Sequence, residues 1–267
     1  KISMEKLKLR GYQERAIKKG INFFERGEEK DRPMIVAPTG AGKSIIIAYL
    51  AKELKDGVLV IQPSKELLEQ NYAKFGLYGG DAGIYSESMK QKEIGDVTFA
   101  TIGSIKGKTP EFAHIKYVLI DECHLLPPQK DAYDERGNLK KNGSMFMKFL
   151  GAIPGVKVLG LSATAFRLKK YRHPFTGEVY SQINLLNRER PKFFNFFLDV
   201  TQIRELYDEG FLTPVKYLEL TWDNGELKPN TTGAEFSDES VDKELKRQKI
   251  LEKIPGIIEQ SIKKGRK

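Results

Sequence analysis

Short apolar runs alternate with longer segments of helical apolar spacing between residues 33 and 165. A parallel strand that is buried on both faces has a nearly continuous apolar run, and a helix commonly crosses from one such strand to the next. The alternation therefore predicts an α/β fold, in which helices cover both faces of a mainly parallel sheet. The predicted strands are residues 34–36, 58–61, 84–85, 97–101, 117–120 and 156–161, and the helices after the first two are residues 45–54 and 65–75.

Amphipathic patterns extend the prediction on both sides of this region. Residues 201–211 predict a helix that stops at Gly210, and residues 215–220 predict a further strand. A helix that ends near Gly27 is predicted before the first strand from the spacing of Gln13, Ala16, Ile17, Ile21 and Phe24.

The composition changes at three places along the chain. Residues 127–144 and 167–192 are rich in polar and charged side chains, which predicts two exposed insertions. Beyond residue 222 the sequence is typical of a linker, and a predicted helix over residues 240–253 follows it and breaks at Pro255-Gly256. We therefore predict a core domain over residues 1–221 and an interdomain linker with a helical tail over residues 222–267.

The second insertion is basic, and aromatic residues are interleaved with its lysines and arginines. This mixture suits contacts with phosphates and stacking on bases. It is equally typical of a solvated loop whose aromatic residues pack locally. The basic residues are Arg167, Lys169, Lys170, Arg172, Arg188, Arg190 and Lys192, and the aromatic residues are Tyr171, Phe175 and Tyr180.

The whole chain has a net charge of +9, from 45 basic and 36 acidic side chains. A basic protein attracts polyanions such as nucleic acid, although lysine-rich surfaces also serve solubility. A single cysteine and three histidines argue against an internal disulfide and against a Cys/His zinc site, and they fit a reducing, cytoplasmic location. No apolar run is long enough to span a membrane, so we expect no membrane partner.

A glycine-containing loop with the sequence APTGAGKS lies between the first predicted strand and its helix. Such a loop directs backbone N–H groups and the positive end of the helix dipole towards an anion. Lys43 is expected to contact the β- and γ-phosphates of ATP, and Ser44 is expected to coordinate Mg²⁺. Ala37 replaces the usual first glycine of this pattern. The predicted phosphate-binding residues are Pro38, Thr39, Gly40, Ala41, Gly42, Lys43 and Ser44.

Two carboxylates, Asp121 and Glu122, follow the predicted strand 117–120. At a strand end beside a P-loop, Asp121 is placed to hold Mg²⁺ and Glu122 to activate the attacking water as general base. Cys123 and His124 invite a reading as a thiol dyad, but adjacent side chains on an extended strand point to opposite faces. We interpret His124 as a donor that links the metal site to the next motif, and the predicted catalytic residues are Lys43, Asp121, Glu122 and His124.

Two shorter signals complete the predicted site. The Gln13 amide offers a donor and an acceptor side by side, which suits the adenine edge, although a lone glutamine is more often an ordinary surface residue. The hydroxyl groups of Ser162 and Thr164 end the strand 156–161, where they can couple the state of the γ-phosphate to a neighbouring surface.

These segments occur in a specific order: residues 9–13, the loop at 37–44, DECH at 121–124 and SAT at 162–164. Together they resemble the first RecA-like domain of a DECH-type superfamily 2 helicase. Residues 204–212 resemble the end of this domain in the RadD-like, repair-helicase or phage-helicase branch. The resemblance covers residues from about 5 to about 220, and it departs from the branch at Ala165, where a proline is usual.

The resemblance implies further binding residues and partners. It adds Arg10 to the nucleotide-binding set, and it implies a second RecA-like domain, missing from this sequence, whose arginines reach the γ-phosphate. We therefore expect a monomeric motor half that binds ATP and Mg²⁺ and hydrolyses ATP slowly by itself. The resemblance also implies that a nucleic-acid backbone, of DNA rather than RNA, contacts Pro63, Ser64, Lys65, Thr101, Ile102 and Ser104.

Two other functions remain open from the sequence. A P-loop phosphotransferase that acts on a small molecule would need a lid with arginines, for which residues 167–192 are the candidate. A nucleotide-dependent switch would bind nucleic acid without unwinding it.

Overall fold

The structure, a computed structural model, describes residues 8–78, 80–126, 145–189, 192–213, 227–228 and 237–263. The predicted insertion 127–144 and the predicted strand 215–220 lie outside the described residues. The chain divides into two compact units, which are residues 1–168 with 183–214, and residues 169–182 with 215–267. The domain boundary after residue 221 stays a prediction.

A sheet of eight strands forms the centre of the first unit, as far as the structure describes it. Its strand order is β10-β1-β7-β6-β2-β5-β3-β4, and every neighbouring pair is parallel except β3 with β4. The strands of this sheet are β1 Met34–Val36, β2 Val58–Gln62, β3 Gly83–Ser86, β4 Gln91–Lys92, β5 Val97–Thr101, β6 Tyr117–Ile120, β7 Lys157–Ser162 and β10 Phe197–Val200. Two further strands, β8 Phe166–Arg172 and β9 Val179–Leu185, pair with each other as a separate hairpin. The six predicted strands are confirmed to within one residue at each end, whereas β4, β8, β9 and β10 were not predicted.

Helices cover both faces of this sheet, as the α/β prediction requires. Along β2, Val60 packs into one apolar cluster and Leu59 into the other, because successive side chains of a strand point to opposite faces. The helices of the first face are α1 Gly11–Arg26, α2 Lys43–Leu54 and α3 Lys65–Leu77, and α4 Met145–Gly151 packs on the second face.

An edge strand and a short helix complete the first unit. The predicted helix 201–211 is shorter in the structure, where α5 is Ile203–Asp208, and Gly210 follows it with a φ of +74°. Ile203 was expected on its apolar face but is exposed, whereas Leu206 is buried. Asp199 of β10 is buried and accepts hydrogen bonds from Arg15 and Lys19 of α1, which explains why a strand with a central carboxylate is stable at the sheet edge.

Replacing Asp199 with alanine is expected to lower the free energy of unfolding by about 1.5–3 kcal/mol, the range for hydrogen bonds to charged groups. Both cations are partly exposed, and Arg15 keeps its ion pair with Glu205, so water and that pair compensate for part of the loss. The measurement is urea unfolding of both proteins. Asp208→Ala is the matched control, because its ion pair with Arg204 is exposed on both sides and is expected to contribute less than about 1 kcal/mol. Equal losses in the two variants would contradict the anchoring role of Asp199.

The second unit contains two helices among its described residues. These are α6 Asp238–Arg247, which is capped by the Ser237 hydroxyl, and α7 Ile250–Lys263. The predicted break at Pro255-Gly256 is wrong, because both residues lie inside α7. The break lies instead before α7, where Lys249 adopts a positive φ of +50°. In the part of the chain that the structure describes, no helix is long and apolar enough to cross a membrane.

Candidate active site

Two glycines shape the loop between β1 and α2. Gly40 and Gly42 have φ angles of +84° and +79°, and Gly42 is the N-cap residue of α2. A Cβ on Gly42 would lie 2.6 Å from Nε2 of Gln13, so a side chain fits at this position only if the Gln13 amide moves. The loop therefore ends at the N-terminus of α2, where a phosphate can come close to the backbone N–H groups.

Residues of α1 hold this loop from one side. The carbonyl oxygen of Ala41 accepts hydrogen bonds from Gln13 Nε2 at 2.8 Å and from the Tyr12 hydroxyl at 3.1 Å. Gln13 is 2% exposed, and its Oε1 accepts from the backbone N–H of Arg10. Gln13 is thus a buried support of the loop and not an ordinary surface residue, and its predicted contact with adenine stays a prediction.

Ala37, the departure from the usual loop sequence, is part of the core. Its side chain is fully buried among the apolar residues of α1 and α2, and its φ is not positive. Its backbone N–H donates to the carbonyl of Ser162 at the end of β7. A glycine is therefore not required here, because the loop turns at Gly40 and Gly42.

A chain of polar contacts connects the loop to β6 and β7. Lys43 Nζ lies 3.3 Å from Oε1 of Glu122, and Oε2 of Glu122 lies 3.3 Å from Nδ1 of His124. The same His124 nitrogen is 2.8 Å from the hydroxyl of Ser162, which also bonds to the backbone of Thr164. Burial lowers the pKa of His124, so its imidazole is neutral near pH 7. The four predicted motifs therefore meet at the carboxyl edge of the sheet.

Asp121 lies deeper than its neighbour Glu122. It is 5% exposed, and burial raises the pKa of its carboxyl group. Oδ2 accepts from Asn71 Nδ2 at 2.7 Å, and Oδ1 accepts from the backbone N–H of Glu122 at 2.9 Å. Glu122 itself has a φ of +45°, a left-handed conformation that costs a non-glycine residue about 1 kcal/mol or more. Such strain is typical of functional sites.

Cys123 belongs to the core of the second face. Its thiol is fully buried and contacts Met34, and burial raises its pKa well above the ordinary value. An extended strand was predicted at this point, but Cys123–Leu125 forms a 3-10 turn. The inert thiol follows from its burial.

The residues predicted to contact nucleic acid lie at the ends of β2 and β5, which are adjacent strands. Gln62 pairs with Thr101, and the N–H of Ile102 donates to the Gln62 carbonyl. The hydroxyls of Thr101 and Ser104 are buried and 2.7 Å apart, and Ser104 also accepts from the N–H of Glu87. These two hydroxyls therefore support the loop. The other predicted members of this edge, Pro63, Ser64, Lys65 and Ile102, are partly or fully exposed.

A cleft of about 180 Å³ opens beside the P-loop. Arg10 lies at its wall, where its guanidinium stacks 4.0 Å from the ring centre of Phe211 and donates to the Tyr12 hydroxyl. The apolar and polar wall groups together suit a planar heterocycle. The cleft is lined by Lys8, Leu9, Arg10, Gln13, Gly40, Gly42, Ile45 and Tyr78.

The family described as Type III restriction enzyme, res subunit, matches residues 6–167, which is more than half of the chain. The chain belongs to this family. The superfamily 2 helicase prediction and the RecA-like fold are thereby confirmed. The match of the res-subunit family includes the loop at residues 37–44, the DECH segment and the SAT segment.

The individual relatives of this chain are distant. The DNA 3'-5' translocase XPB2 of Sulfurisphaera tokodaii is 27% identical over 127 residues, and the match covers 47% of this chain and 27% of that protein. The chain thus spans about a quarter of the length of this relative. Two solved type ISP restriction-modification enzymes share the fold. LlaBIII bound to DNA is 17% identical with a TM-score of 0.53, and the match covers 76% of this chain and 16% of that chain. LlaGI in complex with a DNA substrate mimic is 15% identical with a TM-score of 0.51, and the match covers 76% of this chain and 21% of that chain.

The site also contains supporting residues that were not among the predicted site residues. Asn71, at an ordinary helix position of α3, supports Asp121, and Tyr12, which lies within the motif of residues 9–13, supports the P-loop. Arg167 was grouped with the basic insertion, but its side chain is largely buried. It donates to the carbonyl of His124 and pairs with Glu189 at 3.0 Å.

Proposed function

We propose that this chain is the ATP-binding motor half of a nucleic-acid helicase or translocase that acts on DNA. The observation that carries the proposal is the polar chain from Lys43 through Glu122 and His124 to Ser162, which joins the P-loop to the DECH and SAT segments. The res-subunit family supports a helicase-type motor. The relatives are much longer than this chain, which agrees with a second RecA-like domain as partner.

The residues present fit ATP with Mg²⁺. The cradle at Gly42 has space for a Cβ only if Gln13 moves, the Lys43 ammonium lies at the start of α2, and the cleft beside Gly40 has room for a planar base. Ser44 and the buried Asp121 are the side chains that would hold the ion, together with water and phosphate oxygens. When bound, Mg²⁺ would neutralise charge on the phosphate oxygens.

The side chains of the site then have distinct tasks. Lys43 leaves Glu122 to bind the phosphates, because a phosphate tail carries more negative charge than one carboxylate. Glu122 thereby gains a free oxygen that can accept a proton from the attacking water. His124 keeps its hydrogen bond to Ser162, so a change at Glu122 is transmitted to the end of β7. Arginines from the second RecA-like domain would complete the charge stabilisation.

The strand partner is proposed to bind at the ends of β2 and β5. Pro63 and Ser64 precede α3 and Lys65 is its first residue, so the positive end of that helix would face a phosphate bound at this edge. The hairpin of β8 and β9 is a second candidate surface, since Phe175 is 93% exposed and the rings of Tyr171 and Tyr180 stack 5.9 Å apart. Contacts of this kind are independent of base sequence and weaken with salt.

The test is the ATPase rate of the full-length protein with and without single- and double-stranded DNA and RNA, beside a Lys43→Ala control. Stimulation by DNA that is absent in the control is the expected result. Binding to a fluorescent oligonucleotide at 50–200 mM salt is measured in parallel, and it is expected to weaken steeply with salt. ATP turnover that no nucleic acid changes would contradict the motor proposal and favour a phosphotransferase. Oligonucleotide binding that depends on ATP, without strand displacement or translocation, would favour a switch.

A further inference from the structure

Asn71 is a polar residue at a core position of α3. The buried positions of this helix are Leu68, Asn71 and Phe75, which recur at the spacing of one apolar helix face. Asn71 is 1% exposed, and burying an amide without a hydrogen bond costs about 1–3 kcal/mol. An apolar residue would therefore serve the packing of α3 better. The amide at this position therefore indicates a role other than packing.

The contact that accounts for this amide is the hydrogen bond to Asp121. Asn71 Nδ2 lies 2.7 Å from Asp121 Oδ2, and both side chains are buried. The carbonyl oxygen of the same amide is buried and has no partner among the described residues. The bond to Asp121 is thus the polar contact that fixes the Asn71 side chain.

The bond also completes the orientation of the Asp121 carboxylate. One oxygen is held by the backbone N–H of Glu122 and the other by Asn71. Two donors from different elements prevent rotation of the carboxylate about its terminal bond. Without Asn71, the backbone contact alone would remain, and the carboxylate could turn away from the P-loop.

The helix that carries Asn71 begins at the proposed strand site. Ser64 caps the N-terminus of α3 through a hydrogen bond from Leu67 N–H, and Asn71 lies seven residues further along, which is about 10 Å of helix. A helix moves as a rigid element over such a distance. Displacement of its N-terminus by a bound phosphate backbone therefore displaces the donor of Asp121.

We propose that Asn71 is a positioning residue, which sets Asp121 for Mg²⁺ and couples the strand site at the start of α3 to the metal site. This inference rests on the proposed function, since it assumes that ATP-Mg²⁺ and nucleic acid bind where that function requires. Coupling of this kind is reciprocal, so Mg²⁺-nucleotide binding and strand binding strengthen each other through the same helix.

The experiment is a Mg²⁺ titration of fluorescent ATP binding to the full-length protein and to Asn71→Leu, which keeps the number and branching of the side-chain heavy atoms and removes the donor. The variant is expected to need about tenfold more Mg²⁺ for half-saturation, while its affinity for ATP in EDTA stays within about twofold, a tenfold change being about 1.4 kcal/mol. The titration is repeated with saturating oligothymidylate. The oligonucleotide is expected to lower the Mg²⁺ midpoint of the native protein, and to lower it much less in the variant.

Gln70→Leu is the matched control, since it makes a similar change at the exposed neighbouring position of α3. A lower melting temperature for Asn71→Leu with an unchanged Mg²⁺ midpoint would show a structural role only and overturn the inference.

If Asn71→Leu does not fold, a measurement on the native protein still tests the inference. Its Asn71 side-chain amide signal in an NMR spectrum is expected to shift with ATP-Mg²⁺ and not with ATP in EDTA. A native protein that binds no ATP-Mg²⁺ at all would instead contradict the proposed function.

Discussion

Glu122→Gln is expected to lower kcat for ATP hydrolysis roughly 10²–10⁴-fold, the contribution of a positioned general base. Glutamine keeps the shape of the side chain and can still lie beside Lys43 and His124, but it cannot accept a proton from water. Ground-state binding of ATP should change little, because the phosphates displace Lys43 from this side chain in either protein. The measurement is single-turnover hydrolysis, with the ATP dissociation constant determined separately by fluorescence.

Glu53→Gln provides the same chemical change at an exposed position of α2 and is the control for this prediction. A variant at Glu122 that loses ATP affinity but hydrolyses bound ATP at the native rate would contradict the role of Glu122 as base. An unchanged kcat would mean that another group accepts the proton from water, and a candidate is His124, whose Nδ1 lies 3.3 Å from Oε2 of Glu122.

The sheet was predictable where burial alone decides the structure. The strands β2, β5 and β6 are buried along nearly their whole length, so each appears in the sequence as an apolar run. The edge strand β10 was not predicted because its pattern is broken by Asp199. That carboxylate is stabilised by Arg15 and Lys19, which are 180 or more residues away in the chain. A local pattern cannot indicate a partner at such a distance.

The residues of the candidate site also fall into those that a local sequence pattern predicts and those that it does not. The P-loop and the DECH and SAT segments were predicted because each is a short local pattern at a strand end, and the structure brings them within hydrogen-bonding distance of one another. Supporting residues such as Asn71 and Arg167 depend on contacts between distant elements. The proline in α7 is a further case, since Pro255 was taken as a helix break but is accommodated inside the helix.

Gly42→Ala is the second change with a large expected effect. Alanine at a φ of +79° costs about 1–2 kcal/mol, and its Cβ would lie 2.6 Å from Gln13 Nε2. The amide of Gln13 must then move away from the Ala41 carbonyl, which it contacts at 2.8 Å. Because the phosphate cradle loses both its turn and its support, ATP affinity is expected to fall about 100-fold, or about 2.7 kcal/mol. Fluorescent ATP binding and thermal unfolding measure the two effects.

Gly76→Ala separates the effect of the added methyl group from the effect of its position. Gly76 lies in α3, its φ is not positive, and no atom lies within 4 Å of the Cβ that alanine would add. This variant is expected to bind ATP like the native protein and to be slightly more stable, because alanine favours the helix by about 0.5–1 kcal/mol over glycine.

If Gly42→Ala also binds ATP normally, the loop between β1 and α2 is not the phosphate cradle, and the nucleotide must bind elsewhere. Gln13→Ala, alone and in the Gly42→Ala background, separates the clash from the cost of the positive φ, because the single variant measures the loss of the Gln13 hydrogen bonds to Ala41 and Arg10 by itself. If the double variant loses less stability and ATP affinity than the sum of the two single variants, the contact between α1 and the loop contributes to the defect.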